Sequence, residues 1–172
     1  NGEFIDTPEG RLLNPGHAIE AGWFLLDYAT KKGNPELIDL SKKMIEWSLD
    51  HGWDDEEGGL FYFQDYGGFS PMQLEWSMKL WWPHCEALVA LIKLFEHTRD
   101  TGYLDQFEKM TDYTFMHFSD REHGEWFGYL DRHIVITHRF KGGPYKGCFH
   151  VPRALFICLN ALDQLSQPTF LD

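Results

Sequence analysis

Asp54-Asp55-Glu56-Glu57-Gly58-Gly59-Leu60-Phe61 returns 66 residues later as Asp120-Arg121-Glu122-His123-Gly124-Glu125-Trp126-Phe127, with Asp54, Glu56, Gly58 and Phe61 falling on identical residues. The same shift lays Phe63 on Tyr129, Asp65 on Asp131 and His84 on His150, and His17 stands 67 residues before His84. Self-similarity at a fixed, long period marks a repeat architecture, and this period holds two helices and a connecting loop.

Working outward from the repeat, each copy holds one helix that is apolar on nearly all sides and one that is not. Pro15 to Ala29 carries only Glu20 and Asp27 as charges, and Val151 to Leu165 only Arg153 and Asp163, so these are expected to be buried. Pro35 to Asp50 instead sets Leu37, Leu40, Met44 and Trp47 against a charged face, and Tyr103 to Phe118 repeats that amphipathic pattern. Asn14-Pro15 and Asn34-Pro35 supply cap and first-turn proline, while Pro83 and Pro152 mark the first turns of the third and fifth helices. Five helices alternating inner and outer predict an all-α fold, part of a concentric α/α toroid of helical hairpins. Long Gly- and aromatic-rich connections lie between the hairpins, and Trp126 to Leu130 with Ile134 to Phe140 predicts a short β-hairpin around Asp131-Arg132-His133.

With 172 residues, 43% hydrophobic and 24% charged, the whole chain, 1–172, reads as a single globular domain. Its apolar runs fall short of a membrane span and no secretory segment opens it. A net charge of −12 repels phosphate backbones and anionic lipid, which excludes nucleic acid and membrane surfaces as partners and favours a neutral small molecule. Cys85, Cys148 and Cys158 lack metal or redox spacing and read as reduced thiols of a cytoplasmic protein. Aromatic residues make up 16% of the chain, which suits the apolar faces of sugar rings.

The chemistry is expected where the inner helices begin. His17, His84 and His150 each stand at such a start, and in a toroid these starts converge on one mouth. There the positive helix end keeps an imidazole neutral and available as a base. Glu86 lies two residues after His84 on an otherwise apolar helix, where a carboxylate needs a partner. Glu20 is similarly placed, and Trp81 and Trp82 can stack on a sugar. Cys85 and Cys148 adjoin Glu86 and His150 and are expected near the mouth. The remaining histidines, His51, His97, His117, His123, His133 and His138, are expected to be solvated. Gly142 to Gly147 is glycine-rich, a weak pattern for a phosphate cradle, and no nucleotide-loop, serine-elbow or His-Glu-x-x-His metal motif occurs.

Asn14 to Leu26, Leu74 to Ala87, Gly124 to Leu130 and Lys141 to Arg153 together resemble signature segments of the N-acylglucosamine 2-epimerases, also called renin-binding proteins. The resemblance implies a six-hairpin α/α toroid, of which this chain covers roughly the C-terminal half, and a homodimer. It implies interconversion of N-acetyl-D-glucosamine and N-acetyl-D-mannosamine, the latter feeding sialic acid metabolism. His17, Glu86 and His150 match as catalytic residues; Glu20, Trp81, His84 and Arg153 are expected to bind the substrate beside them, and no metal is expected. ATP or another nucleotide is implied as an activator that is not consumed, and renin as a further partner. An essential arginine of the family's N-terminal half is not in this chain, so the isolated chain is expected to be inactive and to expose an open flank. Cellobiose and mannose epimerases or isomerases, a renin-binding protein without catalysis, and a glycosidase using Glu86 with Glu20 or Glu125 are the competing readings.

Overall fold

The computed structural model describes residues 3–166. Five helices, α1 (Pro15–Lys32), α2 (Pro35–Gly52), α3 (Trp81–Thr98), α4 (Thr101–His117) and α5 (His150–Ser166), alternate with four two-residue strands, β1 (Leu12–Leu13), β2 (Gln64–Asp65), β3 (Lys79–Leu80) and β4 (Tyr129–Leu130). The predicted starts are where the caps put them: the Asn14 side chain accepts the His17 N–H at 3.0 Å, and Asn34 accepts that of Leu37 at 3.1 Å, each followed by proline. Helix α1 ends on Gly33 in the left-handed conformation, φ 63°, which closes the hairpin to α2.

Helices α1, α3 and α5 lie side by side, with α2 packed on α1 and α4 packed on α3, so the layout is an arc of inner helices backed by outer ones. Helix α3 has inner neighbours on both sides, and every residue from Trp81 to Ile92 is buried. The expectation that all inner helices are buried on nearly all sides needs correction for α1 and α5, which each have one inner neighbour among the described residues. Phe24 and Tyr28 on α1, and Phe156 and Leu159 on α5, are exposed, Phe156 by 68%. These are the apolar flanks of an open arc.

The repeat is visible atom by atom. Asp54 accepts the Gly58 N–H and donates its own to the Gly59 carbonyl, while Asp120 does the same with Gly124 and Glu125. The Asp54 Oδ1 accepts the amides of Glu56 and Glu57, and Asp120 Oδ1 those of Glu122 and His123. Each turn is closed by a bridge, Trp53 with Leu60 and Ser119 with Trp126. Glycine is needed at 59, φ 76°, because a Cβ there would lie 2.2 Å from the Tyr113 hydroxyl.

Strand pairing also repeats. The strands before α1 and α3 each pair antiparallel with one after the next turn, β1 with β2 and β3 with β4, the latter in the register Lys79 to Leu130 and Leu80 to Tyr129. The hairpin predicted around Asp131-Arg132-His133 is therefore reduced. Its turn forms, with the Ile134 N–H on the Asp131 carbonyl, and the Asp131 and Thr137 N–H groups bond the Val135 and Tyr129 carbonyls on either side of a single Leu130–Ile136 bridge, while the other edge of Tyr129–Leu130 pairs with β3.

Candidate active site at the inner helix starts

The starts of α1, α3 and α5 open onto one cleft of about 730 Å³, whose lining includes His17, Glu20, Trp81, Trp82 and His150. Gly16 makes this possible: a Cβ there would stand 2.5 Å from the Trp82 indole, so only glycine lets that ring lie against the first turn of α1. Trp82 is then flanked by His17, ring centroids 4.7 Å apart, and by His150 at 5.7 Å. Two imidazoles from helices far apart in sequence thus share one aromatic floor.

Below the floor, Glu86 is fully buried and each of its oxygens is used. Oε2 accepts the Trp23 Nε1–H at 2.9 Å; Oε1 accepts from His150 Nδ1 at 2.7 Å and from Arg153 Nη2 at 2.5 Å. A carboxylate only accepts, so Nδ1 of His150 carries a proton, and Nε2 is the nitrogen left to give or take one at the cleft. Arg153 also reaches Glu20 Oε1 at 2.9 Å and lies over the Phe149 ring. Glu20, Glu86 and His150 each offer a ligand atom within 4.8 Å of the others. The Arg153 guanidinium stands between the two carboxylates and supplies the positive charge that pair requires.

His17 is exposed, and among the described residues neither ring nitrogen makes a hydrogen bond. Trp81 lines the cleft edge-on to Tyr129, and its buried Nε1 has no partner among the described residues.

His84 departs from expectation. Although in register with His150, it does not line the cleft. Its Nδ1 donates to the Leu80 carbonyl at 2.6 Å, its Nε2 accepts the Leu60 N–H at 2.9 Å, and its ring stacks on Tyr113. Burial pushes it down to about 3, partly offset by the Leu80 bond, so it is a neutral internal bridge and not a substrate-binding residue. Cys85 is likewise buried, its thiol pushed up by burial and by Glu86, while Cys148 is exposed; neither lines the cleft. In the Gly142–Gly147 segment Lys146 turns inward, bonding Glu125 at 2.5 Å and the Lys141 carbonyl at 3.0 Å, so its charge is spent and no phosphate cradle forms.

The loops contribute residues that the sequence reading missed: Tyr62, Tyr129, Tyr145, Phe149 and His138 also line the cleft. Burial raises the Tyr62 and Tyr129 phenols, which therefore remain hydrogen-bond donors. His138, expected to be merely solvated, is exposed into this wall. The signal available was the alternation of His138 with Phe140 after the 131–134 turn. The loop is anchored by Arg132, which bonds Asp54 at 3.1 Å and Glu56 at 2.6 Å, and by His133 on Glu57 at 2.9 Å. Burial alone would raise the Asp54 carboxyl, but Arg132 and Lys79 outweigh it and hold it well below the usual carboxylate range.

An arc of an α/α toroid with paired histidines over a buried carboxylate at the inner helix starts defines the class. The sequence profile of N-acylglucosamine 2-epimerase (GlcNAc 2-epimerase) matches residues 1–154, and the chain belongs to that family. It is 52% identical over 167 residues to the N-acylglucosamine 2-epimerase of Mus musculus, covering 95% of this chain and 40% of the relative. The chain thus spans about 40% of the length of the curated relatives it matches. Among solved structures, the cellobiose 2-epimerase from Spirochaeta thermophila superposes with a TM-score of 0.74 at 24% identity, over 91% of this chain and 39% of that one. A D-mannose isomerase gives 0.74 at 21%, over 88% and 38%. These two show the shared fold.

Proposed function

We propose that the protein interconverts N-acetyl-D-glucosamine and N-acetyl-D-mannosamine by proton transfer at C2, with His17 and His150 as the acid/base pair. The observation that carries this reading is the Glu86-held His150 placed across Trp82 from His17. The name of the relatives, N-acylglucosamine 2-epimerase, supplies the substrate class.

Epimerisation needs the open-chain aldehyde, because only a neighbouring carbonyl acidifies the C2 proton. One imidazole removes that proton and the electron pair moves into the carbonyl, giving a 2-acylamido enolate whose charge rests on the C1 oxygen. Collapse of the enolate, with a proton delivered to the opposite face of C2 by the second imidazole, inverts the centre. Groups with an ordinary pKa of about 6.5 can play either part near neutrality. The Nδ1–H of His150 on Glu86 fixes the tautomer that leaves Nε2 basic, and Arg153 is near enough to the same carboxylate to share its charge. Phenol donors on the cleft wall, Tyr62, Tyr129 and Tyr145, are suited to the enolate oxygen at C1.

A glycosidase reading fits less well. Glu20 and Glu86 share one guanidinium and Glu125 is engaged by Lys146, so none of the three carboxylates that reading uses is free of a cationic partner.

The test is turnover of N-acetyl-D-mannosamine by the intact protein in deuterated water, followed by NMR. Solvent deuterium should appear at C2 of the N-acetyl-D-glucosamine formed. His17→Asn and His150→Asn should each abolish net epimerisation, while one of them still exchanges the C2 proton of one epimer without inversion. If the C2 hydrogen is carried over intact, or if both variants epimerise at near wild-type rates, the two-histidine reading is wrong. D-mannose and cellobiose run alongside should be turned over more slowly than the N-acetylated sugars.

A further inference from the structure

We propose that His138 reads the substituent at C2 of the sugar, accepting at Nε2 a hydrogen bond from the N–H of the acylamido group; this rests on the reading of the site as an N-acylhexosamine epimerase. His138 lines the cleft from the 131–140 loop, separate from the inner helices that carry His17 and His150. Its Nδ1 lies 2.9 Å from the Thr137 hydroxyl, which itself lies 3.1 Å from the Tyr129 carbonyl. A hydroxyl carries one hydrogen. Both contacts are made together only if Thr137 donates to Tyr129 and accepts from His138, so the network assigns a proton to Nδ1, and in the ring's single-proton form Nε2 is bare. The outward nitrogen is an acceptor and calls for a donor on the ligand.

An amide N–H is such a donor, and it comes attached to an apolar methyl. The imidazole is flanked by Tyr129 and Phe140, with ring centroids at 5.4 and 5.2 Å, which offer that methyl aromatic contact. A plain hydroxyl at C2 would satisfy the acceptor and leave the aromatic pair unused. The loop is held before substrate arrives, by Arg132 on Asp54 and Glu56 and by the Asp131 Oδ1 accepting the Val135 N–H at 2.9 Å, so little ordering remains for binding to drive.

The experiment measures binding of N-acetyl-D-glucosamine and of 2-deoxy-D-glucose, which lacks any donor at C2, by calorimetry on the intact protein. Steady-state kinetics accompany it for wild type, His138→Ala and His138→Gln. His138→Ala should weaken N-acetyl-D-glucosamine binding about 10-fold and raise KM to match, leaving kcat within about 2-fold. The affinity for 2-deoxy-D-glucose should not change. His138→Gln, whose carbonyl can accept, should recover most of the loss. Equal weakening of both sugars, no weakening of either, or a fall in kcat at constant KM would each overturn the assignment. A wild type that binds N-acetyl-D-glucosamine through His138 but never exchanges the C2 proton defeats the proposed function and leaves this inference standing. An active epimerase whose KM ignores His138 does the reverse.

Discussion

Glu86→Gln keeps the shape of the side chain and removes the charge at the centre of the site. The carboxylate now accepts on both oxygens, from Trp23 on one and from His150 and Arg153 on the other. Glutamine offers one oxygen and one NH2, so whichever way its amide turns, its donors meet a donor: the Trp23 N–H on one side, or His150 and Arg153 on the other. Removing one member of a buried ion pair costs about 3–5 kcal/mol. Arg153 keeps Glu20 as a partner and its side chain is 18% exposed, which places this case at the lower end, about 3 kcal/mol. The chemistry should suffer separately. Without a carboxylate on Nδ1 the His150 tautomer is no longer fixed, and kcat should fall about 10²-fold or more. Urea unfolding followed by tryptophan fluorescence reads the first effect and C2 exchange the second. A double-mutant cycle with His150→Ala should show coupling of about 1 kcal/mol or more. If Glu86→Gln unfolds within about 0.5 kcal/mol of wild type and keeps its kcat, the carboxylate does not organise the site.

Protonation of His84 supplies a pH signature. Its folded value near 3 lies below the ordinary 6.5, so the unfolded chain binds the extra proton, and stability falls with acidification from about pH 6.5 downward, at a slope approaching 1.4 kcal/mol per pH unit. Asp54 adds its own loss only below about pH 4, so in urea midpoints between about pH 4 and 6.5 the slope belongs to His84 together with His117, which burial also lowers, and His84→Gln should remove most of the slope there. Arg132→Ala should leave the Asp54–Lys79 pair intact and loosen the 131–140 loop, accelerating hydrogen exchange at the Val135 and Thr137 amides about 10- to 100-fold; unchanged exchange would show the loop is held otherwise. Under native conditions a thiol reagent should modify Cys148 and spare Cys85 and Cys158, whose thiols burial pushes up, Cys158 to about 12; peptide mapping of modified Cys85 in folded protein would contradict its burial.

Much of the fold was legible because its signals are local. Asn-Pro at 14–15 and 34–35 fixes two helix starts through bonds spanning three residues, and the Asp54 and Asp120 turns are each closed by their own side chain. Periodicity separated the amphipathic outer helices from the apolar inner ones, and the repeat located the histidines at the helix starts. The 79–80 with 129–130 pairing was not legible, since strands of two residues carry no period and their partners lie far apart in the chain.

What tertiary structure decided is clearest in the two histidines that the repeat places in register. The repeat gives no reason to separate His84 from His150, although His84 is the fourth residue of α3 and His150 the first of α5. His84 meets the Leu60 amide and the Tyr113 ring and is sealed as a bridge, while His150 meets Glu86 from a helix 64 residues away and is held at the cleft. Sequence determines which groups are available and which helix end they occupy, because capping and periodicity act within a turn or two. Whether a side chain becomes a base or a brace depends on the donors, acceptors and water it meets across the chain, and only the packing of α1, α3 and α5 brings those together.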